Sequence, residues 1–426
     1  MLIEKFMTRY LRYQNRNYLT FNEVAPKEMP RGHADREYLL YVHIPFCEEL
    51  CPYCSFNRYR FREDRAARYF KALRREIELY GERGFNCTGV YVGGGTPTVM
   101  PDELAATLDL IRDTFPVREI SVETNPNHLT DAIVGTLLKA GVNRLSVGVQ
   151  SFDDELLKAM ERYHKYGSGA AIEASLKRYT GQFDTLNVDM IFNFPLQSLA
   201  SLQRDLEIIK TIPADQVTFY PLMVSTATEK IISRTLGKVD YAREKLYYQE
   251  IFRQLKGDYR PGSAWCFSRR AAMIDEYIVD FDEYLGVGSG SFSYLGGRIM
   301  ANTFAVEEYC AKLEADRSAI AFSKDFSMLE QMRYDFMIKL FGTSIDMAAI
   351  RRRYGQLFTE ALWKELLLFK WLRALEMDGD RLRLTEKGYY YWVIMMREFF
   401  IGVNNFRDIC RAQVKNRADG ESMNDE

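Results

Sequence analysis

Between residues 38 and 222 six strand-like runs alternate with helix-like patterning. No other feature limits its possible folds as much. The strand-like runs are 38–44 (Tyr-Leu-Leu-Tyr-Val-His-Ile), 88–93, 118–123, 143–149, 184–192 and 215–222. Near-continuous apolar runs of this length suit strands buried on both faces of a parallel sheet. Segments 63–83, 102–114, 130–140, 153–160, 168–179 and 199–211 instead carry helical spacing, as Tyr69, Phe70, Leu73, Ile77 and Tyr80 illustrate. Strands alternating with helices require parallel pairing and right-handed crossovers. Six units fall short of the eight that close a TIM barrel. The expected fold is therefore α/β, a partial (β/α)6 TIM-like barrel, either open or closed. In such sheets chemistry gathers at the carboxyl ends of the strands.

The chain's 426 residues exceed one ordinary compact domain. Residues 1–36 read as an N-terminal extension with a short helix and a loop. The barrel spans 37–300 and ends in a Gly- and Ser-rich hairpin turning at Gly296-Gly297. Residues 301–412 are mostly helical. Within them the Asp378-Gly379-Asp380 turn and Leu382–Gly388 resemble the wing of a winged-helix module. Residues 413–426 are polar and read as a disordered tail. Such a C-terminal unit could bind DNA or cap the barrel mouth. Acidic residues balance Arg351-Arg352-Arg353, and 57 basic against 59 acidic residues leave a formal charge of −2. The cap is the better reading, with no nucleic-acid partner.

The N-terminus lacks a continuous apolar core, and no 18-residue uncharged apolar stretch follows, so neither secretion nor a membrane span is expected. Cys87, Cys266, Cys310 and Cys410 are scattered and the total of seven is odd. That is poor material for disulfides and points to a reducing cytoplasm.

The other three cysteines are concentrated. The first strand runs directly into Cys47-Glu48-Glu49-Leu50-Cys51-Pro52-Tyr53-Cys54. A structural zinc site or three buried thiols would be the plain readings. Zinc prefers four ligands, and there is no second Cys pair. Three thiolates after a buried strand favour a [4Fe–4S] cluster with one iron free of protein ligand. His43, on the strand itself, has no obvious ligand role.

Tyr41-Val42-His43-Ile44-Pro45-Phe46-Cys47 and the following cysteines resemble the radical S-adenosylmethionine (radical SAM) superfamily. Within it they resemble the oxygen-independent coproporphyrinogen III oxidase-like (HemN-like) family. The resemblance continues through Gly93-Gly94-Gly95-Thr96-Pro97-Thr98, Glu123-Thr124-Asn125-Pro126, Gly148-Val149-Gln150-Ser151-Phe152, Asp189 and the stretch 286–293.

It implies that Cys47, Cys51 and Cys54 hold the cluster. Gly94, Glu123 and Phe292 would serve a first S-adenosylmethionine, with Tyr53 against the adenine. Gly95, Thr96, Gln150, Arg162, Asp189 and Pro221 would serve a second. Tyr41 would lie near a porphyrin-type substrate. From the residues alone, plainer readings stay open. The glycines could make a tight turn, Glu123 could be ion-paired, and Arg162 could lie on a helix surface. Tyr53 could shield the cluster, and Tyr41, Pro221 and Phe292 could be packing residues.

The chemistry implied is one-electron cleavage of S-adenosylmethionine to a 5′-deoxyadenosyl radical that abstracts hydrogen from a tetrapyrrole. A flavodoxin or ferredoxin would supply the electron. True oxidases of the family carry a fourth cysteine in a Cys-x-Cys ending, where this chain has Ser55-Phe56. Oxidative decarboxylation, radical methyl transfer (as in anaerobic haem degradation) and haem carriage with little catalysis therefore all remain open. Trp265-Cys266-Phe267 and Asp275-Glu276-Tyr277 are further substrate-side candidates.

Overall fold

The computed structural model describes residues 2–18, 21, 28–270 and 278–422. The six expected strands form at Tyr38–Ile44, Cys87–Gly94, Glu119–Thr124, Arg144–Gln150, Thr185–Phe192 and Gln216–Pro221. They lie side by side in that order and all pair in parallel. Tyr284–Val287 adds a further parallel strand beside the first. Antiparallel Phe292–Leu295, Arg298–Asn302 and Ile320–Asp325 extend that side, and Cys266–Ser268 with Arg260–Pro261 extend the other. Among the described residues the twelve strands form a linear order with two edges, so the barrel is open.

The apolar runs behave as their composition requires. Leu39, Leu40, Val42 and Ile44 are fully buried, since helices cover one face of the sheet and barrel contents the other. Helix Glu63–Gly81 buries the expected stripe of Tyr69, Phe70, Leu73 and Ile77. Side-chain caps from Asp153, Ser168 and Ser198 begin three of the crossover helices, satisfying backbone N–H groups that have no partner inside the helix. Gly296 and Gly297 both adopt positive φ (57° and 78°). A two-residue hairpin turn of the primed type requires that geometry.

One buried carboxyl ties the first crossover helix to the Gly-Ser segment. Glu76 accepts hydrogen bonds from Gly288 N (2.7 Å), Tyr309 Oη (2.6 Å) and Asn302 Nδ2 (2.8 Å). Burial outweighs these bonds and raises its pKa from 4.5 to about 7. The folded state therefore holds this proton more tightly than the unfolded chain does. The stability so contributed is complete below pH ~4.5 and is lost as pH rises through about 7. Unfolding measured at pH 5 and pH 8 should show Glu76→Gln lacking about 3 kcal/mol of the wild-type decline. Equal slopes in the two proteins would contradict this.

C-terminal to the sheet, helices Met328–Phe341, Met347–Tyr354 and Trp363–Trp371 pack with a small sheet ordered Ser344–Asp346, Arg381–Leu384, Leu375–Asp378. This is the expected helical, winged arrangement. The last helix, Glu386–Ser422, crosses the barrel mouth and corrects the expected tail, because residues 413–422 continue it. Once a packed helix exists, each further residue adds a hydrogen bond without a new nucleation cost. The N-terminal helix, Leu2–Tyr18, is longer than the short helix expected and braces the last one. Arg12 pairs with Glu398 (2.7 Å), and Asn15 donates to the Glu398 carbonyl (2.7 Å).

Candidate active site

The first strand delivers the chain into the cysteine loop, and short parallel pairing of Phe46–Cys47 with Tyr59–Arg60 closes it. Arg58 donates to the carbonyls of Cys51 (2.6 Å) and Cys54 (2.8 Å). Glu48 accepts from Asn127 (3.1 Å) and pairs with Lys165 (3.4 Å). Charged contacts thus shape the loop from both sides. All three cysteines are free thiols, partly buried, and line one cavity. Burial and the neighbouring Cys54 push the Cys47 thiol up to about 11. Cationic irons would relieve that repulsion, since they bind the thiolate.

Among the described residues no three His, Cys, Asp or Glu side chains converge tightly enough to hold a single metal ion. Three thiolates suit a cube, in which each binds a different iron. His43 is excluded as a ligand by its partners. Tyr41 Oη lies 2.9 Å from its Nδ1, and the Asn57 carbonyl 2.9 Å from its Nε2. Complete burial lowers its pKa to about 4. The ring is therefore neutral, donating through Nε2 and accepting from Tyr41 at Nδ1.

The glycine strip at the end of the second strand packs too closely on its neighbours to carry side chains. Gly94 has φ +119°, and a Cβ there would sit 2.6 Å from the His43 ring. A Cβ on Gly93 would meet the Glu123 carboxylate at 2.7 Å, and one on Gly95 the Phe46 carbonyl at 2.5 Å. Glu123, next to last in the third strand, accepts from Tyr91 Oη (2.9 Å) and Gly94 N (3.1 Å). Thr96 Oγ1 accepts from Asn125 (2.8 Å).

At the end of the fourth strand the register shifts between Gly148 and Gln150, and Gln150 takes φ +75°. A bulge of this kind re-aims a side chain at backbone cost, and such strain clusters at functional sites. Asp189, on the fifth strand, accepts from Ser146 (2.7 Å) and Asn187 (2.8 Å).

Arg162 is not a surface residue, being only 5% exposed. It donates to Tyr53 Oη, the Gly148 carbonyl (2.7 Å) and Asn125 Oδ1 (3.2 Å), and lies 3.7 Å from Cys51 Sγ. Its Nε is buried without a protein partner. Tyr53 is also buried and packs edge-on against Phe194, as a shielding aromatic would. Tyr41, Pro221 and Phe292 join the same wall. The cavity therefore brings together every residue that the family resemblance assigned to cluster, cofactor or substrate.

Two suggestions fare differently. Trp265, Cys266 and Phe267 are fully buried behind the wall, with Trp265 packed on Tyr220 and Phe400. Asp275-Glu276-Tyr277 lies outside the described residues. Sequence reasoning also missed a set of lining residues, namely Phe399, Phe400, Val403, Asn404 and Arg407 of the last helix. Their spacing of three and four was the available signal, since such residues share one helix face.

At the position of the family's fourth cysteine, Phe56 lies under the Arg407 guanidinium, 4.9 Å from ring centroid to Cζ, and its carbonyl accepts from Arg411. Ser55 meets Thr228 Oγ1 at 3.1 Å. No fourth cysteine lines the cavity among the described residues.

An open parallel sheet with three cysteines after its first strand and a glycine strip after its second defines a class, and residues 41–208 match the Radical SAM superfamily. The chain is 35% identical over 392 residues to the heme chaperone HemW of Mycobacterium tuberculosis, covering 85% of this chain and 95% of that protein. It is 37% identical over 390 residues to the oxygen-independent coproporphyrinogen III oxidase of Bradyrhizobium diazoefficiens, covering 84% and 85%. The solved structure of Escherichia coli coproporphyrinogen III oxidase (HemN) superposes with a TM-score of 0.72, at 24% identity, over 86% of this chain and 91% of that one. The protein belongs to the HemN-like family of radical SAM proteins. Membership implies a [4Fe–4S] cluster and S-adenosylmethionine. Among the described residues no helix is long and apolar enough to cross a membrane.

Proposed function

We propose that this chain is a radical SAM enzyme acting on a tetrapyrrole, with its cluster on Cys47, Cys51 and Cys54. The supporting observation is that these cysteines share one cavity with the glycine strip, Glu123, Gln150 and Asp189. When bound, the cluster and S-adenosylmethionine supply one-electron chemistry that yields a 5′-deoxyadenosyl radical able to abstract hydrogen from a substrate carbon. The chain's own residues bind, orient and exclude water. Gly94, on the cavity wall, would offer its backbone to the methionine moiety, and Glu123, itself held by Tyr91 and Gly94 N, would accept from its polar groups. Gln150, Arg162, Asp189, Thr96, Gly95 and Pro221 would receive a second S-adenosylmethionine. Tyr53 and Tyr166 close the loop side against water around Arg162. Tyr41, whose hydroxyl proton goes to His43, faces the substrate as a hydrogen-bond acceptor. Flavodoxin or ferredoxin would supply the electron.

A second reading, haem carriage with little catalysis, is favoured by Ser55-Phe56 in place of the fourth cysteine. Several curated relatives are heme chaperones. Anaerobic incubation of the reduced, cluster-loaded protein with S-adenosylmethionine and coproporphyrinogen or haem separates the readings. Substrate-dependent 5′-deoxyadenosine is the expected result. Loss of carbon dioxide would identify an oxidase. S-adenosylhomocysteine with a methylated product would identify methyl transfer. Tight haem binding with no 5′-deoxyadenosine above the substrate-free level would overturn the enzyme reading in favour of carriage.

A further inference from the structure

The last helix brings one side of itself to the cavity. Phe399, Val403 and Arg407 follow one another at intervals of four, and Phe400 and Asn404 fill the adjacent row. Together with Phe292 and Tyr334, most of this wall is apolar and aromatic. Arg407 is the one cation that the last helix contributes to the described lining.

Its position is constructed. Asn404 Oδ1 accepts from Arg407 Nη1 at 2.9 Å, while Asn404 Nδ2 donates to the Met223 carbonyl at 3.2 Å. The guanidinium lies 4.9 Å from the Phe56 ring centroid and 5.5 Å from that of Phe292. Arg407 is 9% exposed, so its charge acts in a poorly solvated setting, where it is felt at Tyr41 and His43. The other lining arginines serve the cluster loop, Arg58 through the Cys51 and Cys54 carbonyls and Arg162 through Tyr53.

A ligand suited to this wall is broad, flat and apolar, with an anionic group at its rim. Aromatic faces take the flat body, and a planar guanidinium fork pairs with a carboxylate more specifically than an ammonium does. We infer that the last helix forms the substrate wall and that Arg407, oriented by Asn404, binds a peripheral carboxylate of the substrate. This rests on the tetrapyrrole reading above and assigns the side chain that recognises the macrocycle's acidic rim. It also gives Phe56 a role, as part of the shelf on which that arginine lies.

The test is a binding titration, independent of turnover. Cluster-loaded wild type, Arg407→Gln and Arg407→Lys are titrated with protoporphyrin IX and with its dimethyl ester, following porphyrin absorbance. Iron content and circular dichroism check that each variant is folded. Arg407→Gln should weaken binding of the free acid about 10- to 100-fold, as loss of a charge-assisted hydrogen bond does. It should leave the ester unchanged, and Arg407→Lys should recover part of the loss. An unchanged affinity for the acid, or an equal loss for acid and ester, would overturn the assignment, the latter because the arginine would then act by packing alone. If wild type binds neither porphyrin, the tetrapyrrole reading falls and this inference with it, a result distinguishable from a wild type that binds and a variant that does so equally.

Discussion

Cys51→Ala should abolish 5′-deoxyadenosine formation, taking it to the level of a reaction without protein. It should also remove the visible absorbance of the reconstituted cluster. With two thiolates the loop falls short of the three that hold a cube with one open iron, and no spare cysteine lines the cavity among the described residues. Cys87, Cys266 and Cys310 are buried in the core, and Cys410 is buried on the last helix. Cys47→Ala and Cys54→Ala should behave alike, whereas Cys310→Ala should keep both signals. Iron content and 5′-deoxyadenosine, measured on anaerobically reconstituted proteins, decide the matter. Retained 5′-deoxyadenosine in Cys51→Ala would remove the foundation of the proposed function. The loop itself should survive the substitution, because Arg58, Glu48 and Arg162 shape it through contacts that need no iron.

The second large effect is expected away from the cysteines, where the last helix is pinned across the barrel mouth. Arg397 is 1% exposed and pairs with Glu244 and Glu398, both carboxylates fully buried. It also donates to Thr8 Oγ1 (3.0 Å) on the N-terminal helix and lies over the Tyr241 ring. Tyr390 Oη donates to Glu244 at 3.1 Å. Breaking such a pair from one side leaves an uncompensated buried charge and typically costs ~3–5 kcal/mol. Arg397→Met should lower stability by about that amount in guanidinium unfolding, and amide exchange should rise first in residues 386–414. Adding Glu244→Leu and Glu398→Leu should restore much of the loss, because a buried ion cluster can be replaced by apolar packing at little cost. Unchanged stability in the single variant would contradict the account. Phe399 and Phe400 follow Arg397 directly and line the cavity, so the variant should also bind substrate less tightly.

Much of the site was legible because its residues stand at strand ends. A buried parallel strand has a near-continuous apolar run, and the first polar or glycine residues after it fall at its carboxyl end. Cys47, Gly94, Glu123, Gln150 and Pro221 each follow or close such a run, Asp189 lies within one, and all meet in one cavity. Arg162 was harder to read. It precedes the four-residue helix Tyr163–Tyr166, and nothing in its neighbours reveals that the Gly148 carbonyl and Tyr53 draw it inward. The wall residues of the last helix were hard to read for a related reason. Their apolar spacing is what any packed helix shows, and which surface it covers depends on contacts made hundreds of residues away in sequence. The reach of that helix past residue 413 escaped composition too, since local polarity says little about elongation of a helix already nucleated and packed.

By itself, then, the sequence determined the βα order, the three-cysteine loop and the glycine strip, because strand burial, thiolate spacing and backbone clearance are local requirements. Only the tertiary structure decided that the sheet stays open, that Arg162 turns inward to the loop, and that the last helix lies over the mouth with Arg407 upon Phe56. Arg162 is drawn inward by the Gly148 carbonyl and Tyr53, and the last helix is held by buried charge pairs, chiefly Arg397 with Glu244 and Glu398 and Arg12 with Glu398. Their partners become neighbours only when the chain has folded.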